Sequence, residues 1–277
     1  MAKPGDTGYT SATGPTKVAS NTEVDYAVNE KGEAVNRSGL AAVSLGEKQV
    51  GSDAVPGKDP GIKSTILEAG TSLLQKFAPT KKISQHVCAF HFYAHDMTRQ
   101  VEAHHYCSCA NDEFRQCVIY DTDQPNARLI GIEYIISRRL FEGLPADEKK
   151  FWHSHQYEVI SGQLVAPGVP TMAETLEMQR LVDTYGKTFH TWQVDRGDQL
   201  PLGPPHLMMA FTADGQLNPA LLEARDKRLG VNTAELREKR KSTIKPTDNI
   251  AAGANHWEQL VGGKRKAWQT KMEQVDS

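Results

Sequence analysis

Two stretches of this chain alternate strictly between faces, and both carry histidine. Gln85–Tyr93 sets Cys88, Phe90 and Phe92 against Val87, Ala89, His91 and Tyr93. Gln100–Cys109 sets Val101, Ala103, His105 and Cys107 against Glu102, His104 and Tyr106. A period of two is the signature of strands, whose successive side chains point to opposite sides. Cys117–Tyr120 and Arg128–Ser137 are apolar and β-branched, and the turn residues 121–126 between them predict a hairpin. Gln156–Val165, Phe189–Val194 and His206–Phe211 read as further strands. Helical spacing is confined to Ile62–Phe77, a short element from Pro145 to Trp152, and Thr171–Thr184 with Met172, Leu176, Leu181 and Val182 inward. Strands outnumber helices and turns are short, so the expected class is α+β, a mainly antiparallel sheet with a few packed helices.

The rest of the chain divides around this core. Residues 1–58 hold no Phe or Trp and are rich in Gly, Thr, Ser, Asn and Lys. Such a segment buries too little apolar surface to offset its ordering entropy, which predicts a disordered N-terminal arm. Its GSDAVPGKD stretch fails as a phosphate loop, because Pro56 and Asp59 stand where Gly and Ser/Thr are needed. A domain is expected over 59–215, followed by a charged, partly helical, polar C-terminal tail over 216–277. In that tail Arg237–Lys241 reads as a solvated face, while Trp257 and Trp268 are out of place in a disordered segment. The stripe on Ile62–Phe77 is expected to pack on the domain core; lying on a lipid monolayer is the competing reading.

Charge and motifs exclude several function classes. Lys+Arg number 32 against 34 Asp+Glu, a formal net charge of −2, so no nucleic-acid partner recruited by bulk charge is expected. No apolar run is long enough for a transmembrane segment. Signatures of α/β-hydrolases, zinc proteases, dinucleotide binders and kinases are absent. The N-terminus has no apolar signal region, and a cytoplasmic protein is expected. Cys88, Cys107, Cys109 and Cys117 are then expected as reduced, mostly buried thiols. A thiolate zinc site is the weaker alternative, since paired C-x-x-C spacings are missing.

What remains is a concentration of imidazoles. His86, His91, His95, His104 and His105 lie within twenty residues, and His153-Ser154-His155 is followed by Glu158. On a strand, His-x-His directs both rings to one face, and a carboxylate adds an oxygen ligand. His91, His104, His105, His153, His155 and Glu158 are the candidate metal ligands, for a zinc, iron or manganese ion. The spacing departs from the cupin metal motif. His104 and His105 are adjacent, so as strand residues they face opposite ways. The competing reading is structural, with neutral buried rings each bonded to a carbonyl or carboxylate. Lys187, His190, Trp192, Asp195, Arg196 and Asp198 form a second polar group, either lining a pocket beside the histidines or forming a salt-bridged loop.

Four strings are recognisable together: HVCAFHFYAHDMTRQVEAHHYCS (86–108), FRQCVIYDTDQPNARLIGIEYIIS (114–137), FWHSHQYEV (151–159) and YGKTFHTWQVDRGDQLPLG (185–203). Over roughly residues 60–215 the chain resembles the oil body-associated protein family, a domain of unknown function; the long polar arm suggests a fungal member. The resemblance implies a protein at the lipid droplet surface, without an established enzyme activity, cofactor or catalytic residue. Attachment would be peripheral, through the Ile62–Phe77 helix or through Lys264-Arg265-Lys266 near Trp268. A metal-dependent enzyme or metal-binding protein built on the His/Glu cluster is the alternative.

Overall fold

A computed structural model describes residues 27–28, 34–35, 55–57, 61–261, 264–265 and 267–276. The predicted disordered arm, 1–58, lies almost wholly outside the described residues. Of the predicted strand Phe189–Val194 only the first two residues are strand, as the end of Thr184–His190, but most of the predicted strands enter a closed antiparallel barrel. Its strands are β1 (Gln85–Tyr93), β2 (Asp96–Asn111), β3 (Phe114–Tyr120), β4 (Leu129–Ser137), β5 (His153–Ser154), β6 (Thr184–His190) and β7 (His206–Met209). The order is β4-β3-β2-β1-β7-β6-β5, and pairing of β4 with β6 closes the ring. Short β5 extends the edge of β6 beyond the end of β7, pairing His153 with Gly186.

Register determines what faces the interior. Cys107, Cys117, Glu133 and Thr188 lie opposite one another on β2, β3, β4 and β6. Val87, His105, Ile119, Gly131 and His190 form the neighbouring row. Cross-strand partners share a face, so both rows point inward. The alternation read from the sequence holds on β1 and β2, with Phe90 and Phe92 outside and His91 inside.

Helices are α1 (Ile62–Leu74), α2 (Arg138–Glu142), α3 (Ala146–Lys149), α4 (Gln156–Ser161), α5 (Thr171–Leu181), α6 (Pro219–Leu229) and α7 (Thr233–Thr243). Val159 of α4, Met178 and Leu181 of α5, Val182 and Ile244 pack with Val87, Ala89, Cys107, Cys117 and Ile135. A second inner cluster gathers Tyr93, Val101, Ala103, Ile119 and Met208 with Trp192. The outer face of β1 and β7, Phe90, Phe92, Leu207 and Met209, is covered by Phe211, Leu217, Leu221 and Trp257.

Several local expectations are corrected. Gln156–Val165 is not a strand: α4 occupies Gln156–Ser161, Gly162 ends it at φ +82°, and only Val165 makes a bridge, to Cys88. A six-residue helix is too short for its period to show. Met172 and Leu176 point to solvent rather than inward, because α5 docks through Met178 and Leu181 at its far end. Within the predicted solvated run, Arg240 is buried; it donates to Val159 O at 2.7 Å, Leu164 O at 2.8 Å and Glu174 Oε1 at 2.8 Å. Arg225 of α6, also buried, donates to Gln163 O at 2.7 Å and Thr233 Oγ1 at 2.9 Å. Two guanidinium forks thus satisfy carbonyls that α4 leaves open at its C-terminal end.

The thiol expectation also fails. Cys107 and Cys117 are joined in a disulfide, because both point inward from directly paired positions of β2 and β3. Cys88 is free and buried on the outer side of β1, and Cys109 is free and exposed. The four cysteines therefore converge on no thiolate site.

The Ile62–Phe77 stripe does not pack on the core. Ile62, Ile66, Leu67 and Leu74 of α1 are exposed, at 81 %, 67 %, 67 % and 86 %. No described helix is long and apolar enough to cross a membrane.

Candidate metal centre

The barrel interior carries a polar layer between its two apolar clusters. Glu133, from the middle of β4, is 2 % exposed, and imidazoles from four elements surround it. His105 Nε2 of β2 lies 2.8 Å from Glu133 Oε2, and His91 Nε2 of β1 lies 4.0 Å from the same oxygen. On the other side, His153 Nε2 of β5 is 3.4 Å and His155 Nε2 is 3.1 Å from Oε1. Each carboxylate oxygen therefore faces one pair of rings. His190 of β6 stands behind His91, its Nε2 3.1 Å from His91 Nδ1.

The predicted strand geometry of His153-Ser154-His155 is only half present. His153 is on β5, whereas His155 is the N-cap residue of α4. Both rings nevertheless reach one carboxylate. His155 is oriented by Thr184, whose Oγ1 is 2.8 Å from its Nδ1 and itself donates to Leu181 O at 2.6 Å. That hydroxyl, having used its proton, accepts from Nδ1–H and leaves the Nε2 lone pair of a neutral His155 facing Glu133.

Gly186 of β6 makes room for the layer. A Cβ there would overlap Glu133 Oε1 and come within 2.6 Å of His153 Nε2.

Hydrogen bonding within the layer is incomplete. Both ring nitrogens of His105 and of His153 are buried without a hydrogen-bond partner. The 2.8 Å approach of His105 to Glu133 is too oblique to be such a bond. His190 Nδ1, Thr188 Oγ1 and Glu158 Oε1 are likewise unpartnered. Each such group costs about 1–3 kcal/mol when nothing meets it.

Ionisation follows from burial and proximity. Burial pushes the rings of His91 and His155 below their ordinary value and His190 down to about 3. Burial alone would raise the Glu133 carboxyl, but the adjacent His105 ring, with contributions from His153 and His155, holds it well below the usual range. Glu158 is pushed well above that range, first by burial and then by the Glu133 charge.

Of the six residues singled out in the sequence, His91, His105, His153 and His155 converge. Glu158 lies on α4, buried and within electrostatic reach of Glu133. His104 is not part of the layer: it projects outward from β2, its Nδ1 3.0 Å from His86 Nε2 and its Nε2 2.8 Å from Glu102. Sequence reading missed Glu133, the common partner; its only signal is one acid at an alternating position of the apolar string LIGIEYIIS. His190 belonged to the second polar group, which the structure divides. His190 joins the layer, Lys187 pairs with Glu148, Asp195 with Arg99, and Arg196 with Asp198.

A small closed antiparallel barrel, plugged by helices and holding a histidine-ringed glutamate inside, defines the class of fold. Residues 77–244 match the family model described as Protein of unknown function (DUF1264). The chain is 47 % identical over 223 residues to Oil body-associated protein 1B of Arabidopsis thaliana, covering 80 % of this chain and 90 % of that one. It is 48 % identical over 201 residues to Oil body-associated protein 1A of Zea mays, covering 73 % and 84 %. To Oil body-associated protein 2A of Zea mays it is 44 % identical over 216 residues, covering 77 % and 86 %. The chain belongs to the oil body-associated protein family. No solved structure matches it.

Proposed function

We propose that this chain is a cytosolic protein that attaches peripherally to the phospholipid monolayer of oil bodies, with α1 as its anchor. The observation that carries the reading is the outward apolar face of α1. At 100° per residue, Ile62, Ile66, Leu67, Ala69, Gly70, Leu73 and Leu74 fall in one arc of about 160°, which also takes in Lys63, whose long stem can carry its ammonium to the headgroups. The opposite arc holds Ser64, Thr65, Glu68, Thr71 and Ser72. Such a helix lies in a lipid interface with its apolar face down. Burying an exposed Ile or Leu contributes roughly 1.5–3 kcal/mol, so the four exposed ones outweigh much of the cost of association. Lys63 and Glu68 are the helix's charged residues and are opposite in sign, so attachment is apolar and insensitive to salt. The names of the relatives point to the same surface.

The side chains of the other candidate anchor, Lys264-Arg265-Lys266, lie outside the described residues, and Trp268 beside them is engaged on the protein's own surface. Its ring lies 4.2 Å from Lys150 Nζ and 5.7 Å from the Phe151 ring. The Cys107–Cys117 disulfide is compatible with the cytosol, since both residues are buried and exchange requires access by an attacking thiolate.

Flotation with triacylglycerol droplets coated with phosphatidylcholine tests the reading. The wild-type chain is expected in the floating layer at low and high salt alike, and Ile66→Asp/Leu74→Asp in the lower phase. A wild type that stays below, or a variant that floats equally well, overturns it.

A further inference from the structure

We propose that Glu133, His91, His105, His153 and His155 form a divalent transition-metal centre that fastens the barrel interior. Glu133, His91 and His105 offer three ligand atoms within 4.8 Å of one another, and Glu133, His153 and His155 offer three more. An ion held at about 2.1 Å from each ligand needs donors roughly 3–4 Å apart, so small shifts complete either trio. The two trios share one carboxylate, one oxygen to each, which accommodates one ion or two bridged by Glu133.

Three observations independent of ligand count point to a cation. The unpartnered nitrogens of His105 and His153 are 2 % and 0 % exposed and stand next to a carboxylate they do not hydrogen-bond. Thr184 fixes the His155 tautomer so that a lone pair faces that carboxylate; a cation between them turns a repulsion into two bonds. Gly186 lets Glu133 Oε1 and His153 Nε2, two of the proposed donors, come together where any Cβ would stand. His190 behind His91 completes the outer support that metal-bound imidazoles require.

The barrel's other trio lacks these features. Outside, Cys88, Glu102 and His104 also lie close together. There His104 uses both nitrogens, on His86 and Glu102; Cys88 donates to Glu102 at 3.3 Å, and Arg228 pairs with Glu102. Every group is matched, and no place for an ion is left.

Imidazole nitrogens with one carboxylate oxygen suit zinc, iron(II) or manganese(II). The donors come from β1, β2, β4, β5 and the start of α4, and each is nearly inaccessible to solvent. Donors buried to this degree assign the ion a structural part, so bound metal contributes directly to folding stability.

The test is metal content and thermal stability of the full chain, purified without chelator. About one or two equivalents of zinc, iron or manganese are expected. Stripping with a strong chelator should lower Tm by 10 °C or more, and adding back the single metal found should restore it. Glu133→Gln should retain under a tenth of the wild-type metal and His153→Ala half or less, whereas His104→Ala should retain all of it. Should these variants fail to fold, cobalt(II) titration of the stripped wild type must still give the visible bands of nitrogen-ligated cobalt. A folded wild type that holds no metal and gives no cobalt spectrum overturns the proposal. So do metal loss in His104→Ala and a Tm unmoved by stripping.

Discussion

Gly186 of β6 lies directly beneath the Glu133 carboxylate, and the absence of its side chain is what admits that group and the His153 ring into the barrel. A methyl at this position meets the carboxylate end of Glu133 and the ring of His153, side chains that are themselves buried among the other imidazoles of the layer. Gly186→Ala should therefore destabilise the chain by about 1–3 kcal/mol, as overpacking does. Urea unfolding in the presence of chelator measures this whether or not a metal binds; an unchanged midpoint would contradict it.

Arg240 offers a second handle, on a different layer. It joins α7 to the carbonyls of Val159 and Leu164 and to Glu174 of α5. Arg240→Ala strands the Glu174 carboxylate and the Leu164 carbonyl and leaves Val159 O with the Gly162 N–H alone. A loss of about 3–5 kcal/mol is expected, read as a lower denaturant midpoint. A loss under about 1 kcal/mol would mean that water replaces the guanidinium.

Acid should weaken the fold before it titrates the carboxylates. Burial, followed by the neighbouring His95, holds His206 at about 4, against an ordinary 6.5. Burial and then His104 hold His86 at about 4. A histidine whose folded value is depressed takes up its proton more readily unfolded, so stability rises with pH across the interval. It is fully present above pH 6.5 and is lost as pH falls toward 4. Both groups are only partly buried, so solvent screening reduces each contribution. Urea midpoints at pH 7.5, 6 and 5 should fall in that order, and His206→Gln should flatten the trend. A midpoint that rises on acidification would reverse the sign argued here.

Thiol counting checks the cross-strand link. Under denaturing, non-reducing conditions two thiols should react, Cys88 and Cys109, out of the four cysteines. Cys107→Ala/Cys117→Ala should lose about 3 kcal/mol, the loop-closure value for a separation this short. Four reactive thiols in the wild type would show that the link does not form.

How much of this could be read in advance depended on range. The alternation of β1 and β2 is a local property, so both strands and the opposite facing of His104 and His105 were legible, but not which of the two turns outward. The His-rich strings marked four of the ring positions. Glu133 was not legible, since one acid in LIGIEYIIS acquires meaning only when β4 closes on β6 and three distant segments bring their imidazoles to it. His155 shows the same limit from another side: a strand was expected, yet a helix N-cap delivers the ring to the same oxygen. The α1 stripe was correctly seen as amphipathic, but periodicity says which residues share a face, not whether the protein itself will cover that face. Arg240 looked solvated because a charge run signals exposure on average, and only the open carbonyls after α4 give it a reason to be inside.

Among the described residues, closing the ring through β4 and β6 gives each long strand a paired neighbour on both sides, although the pairing of β1 with β7 is confined to Phe92 and Tyr93 and leaves out Gln85–His91. The thin stretch of β1 is covered by residues around Val165 through the Cys88 bridge. Open margins are where β proteins template one another into aggregates. Under the attachment proposed above, molecules crowded side by side at a droplet surface present few open margins through which their sheets could be stitched together.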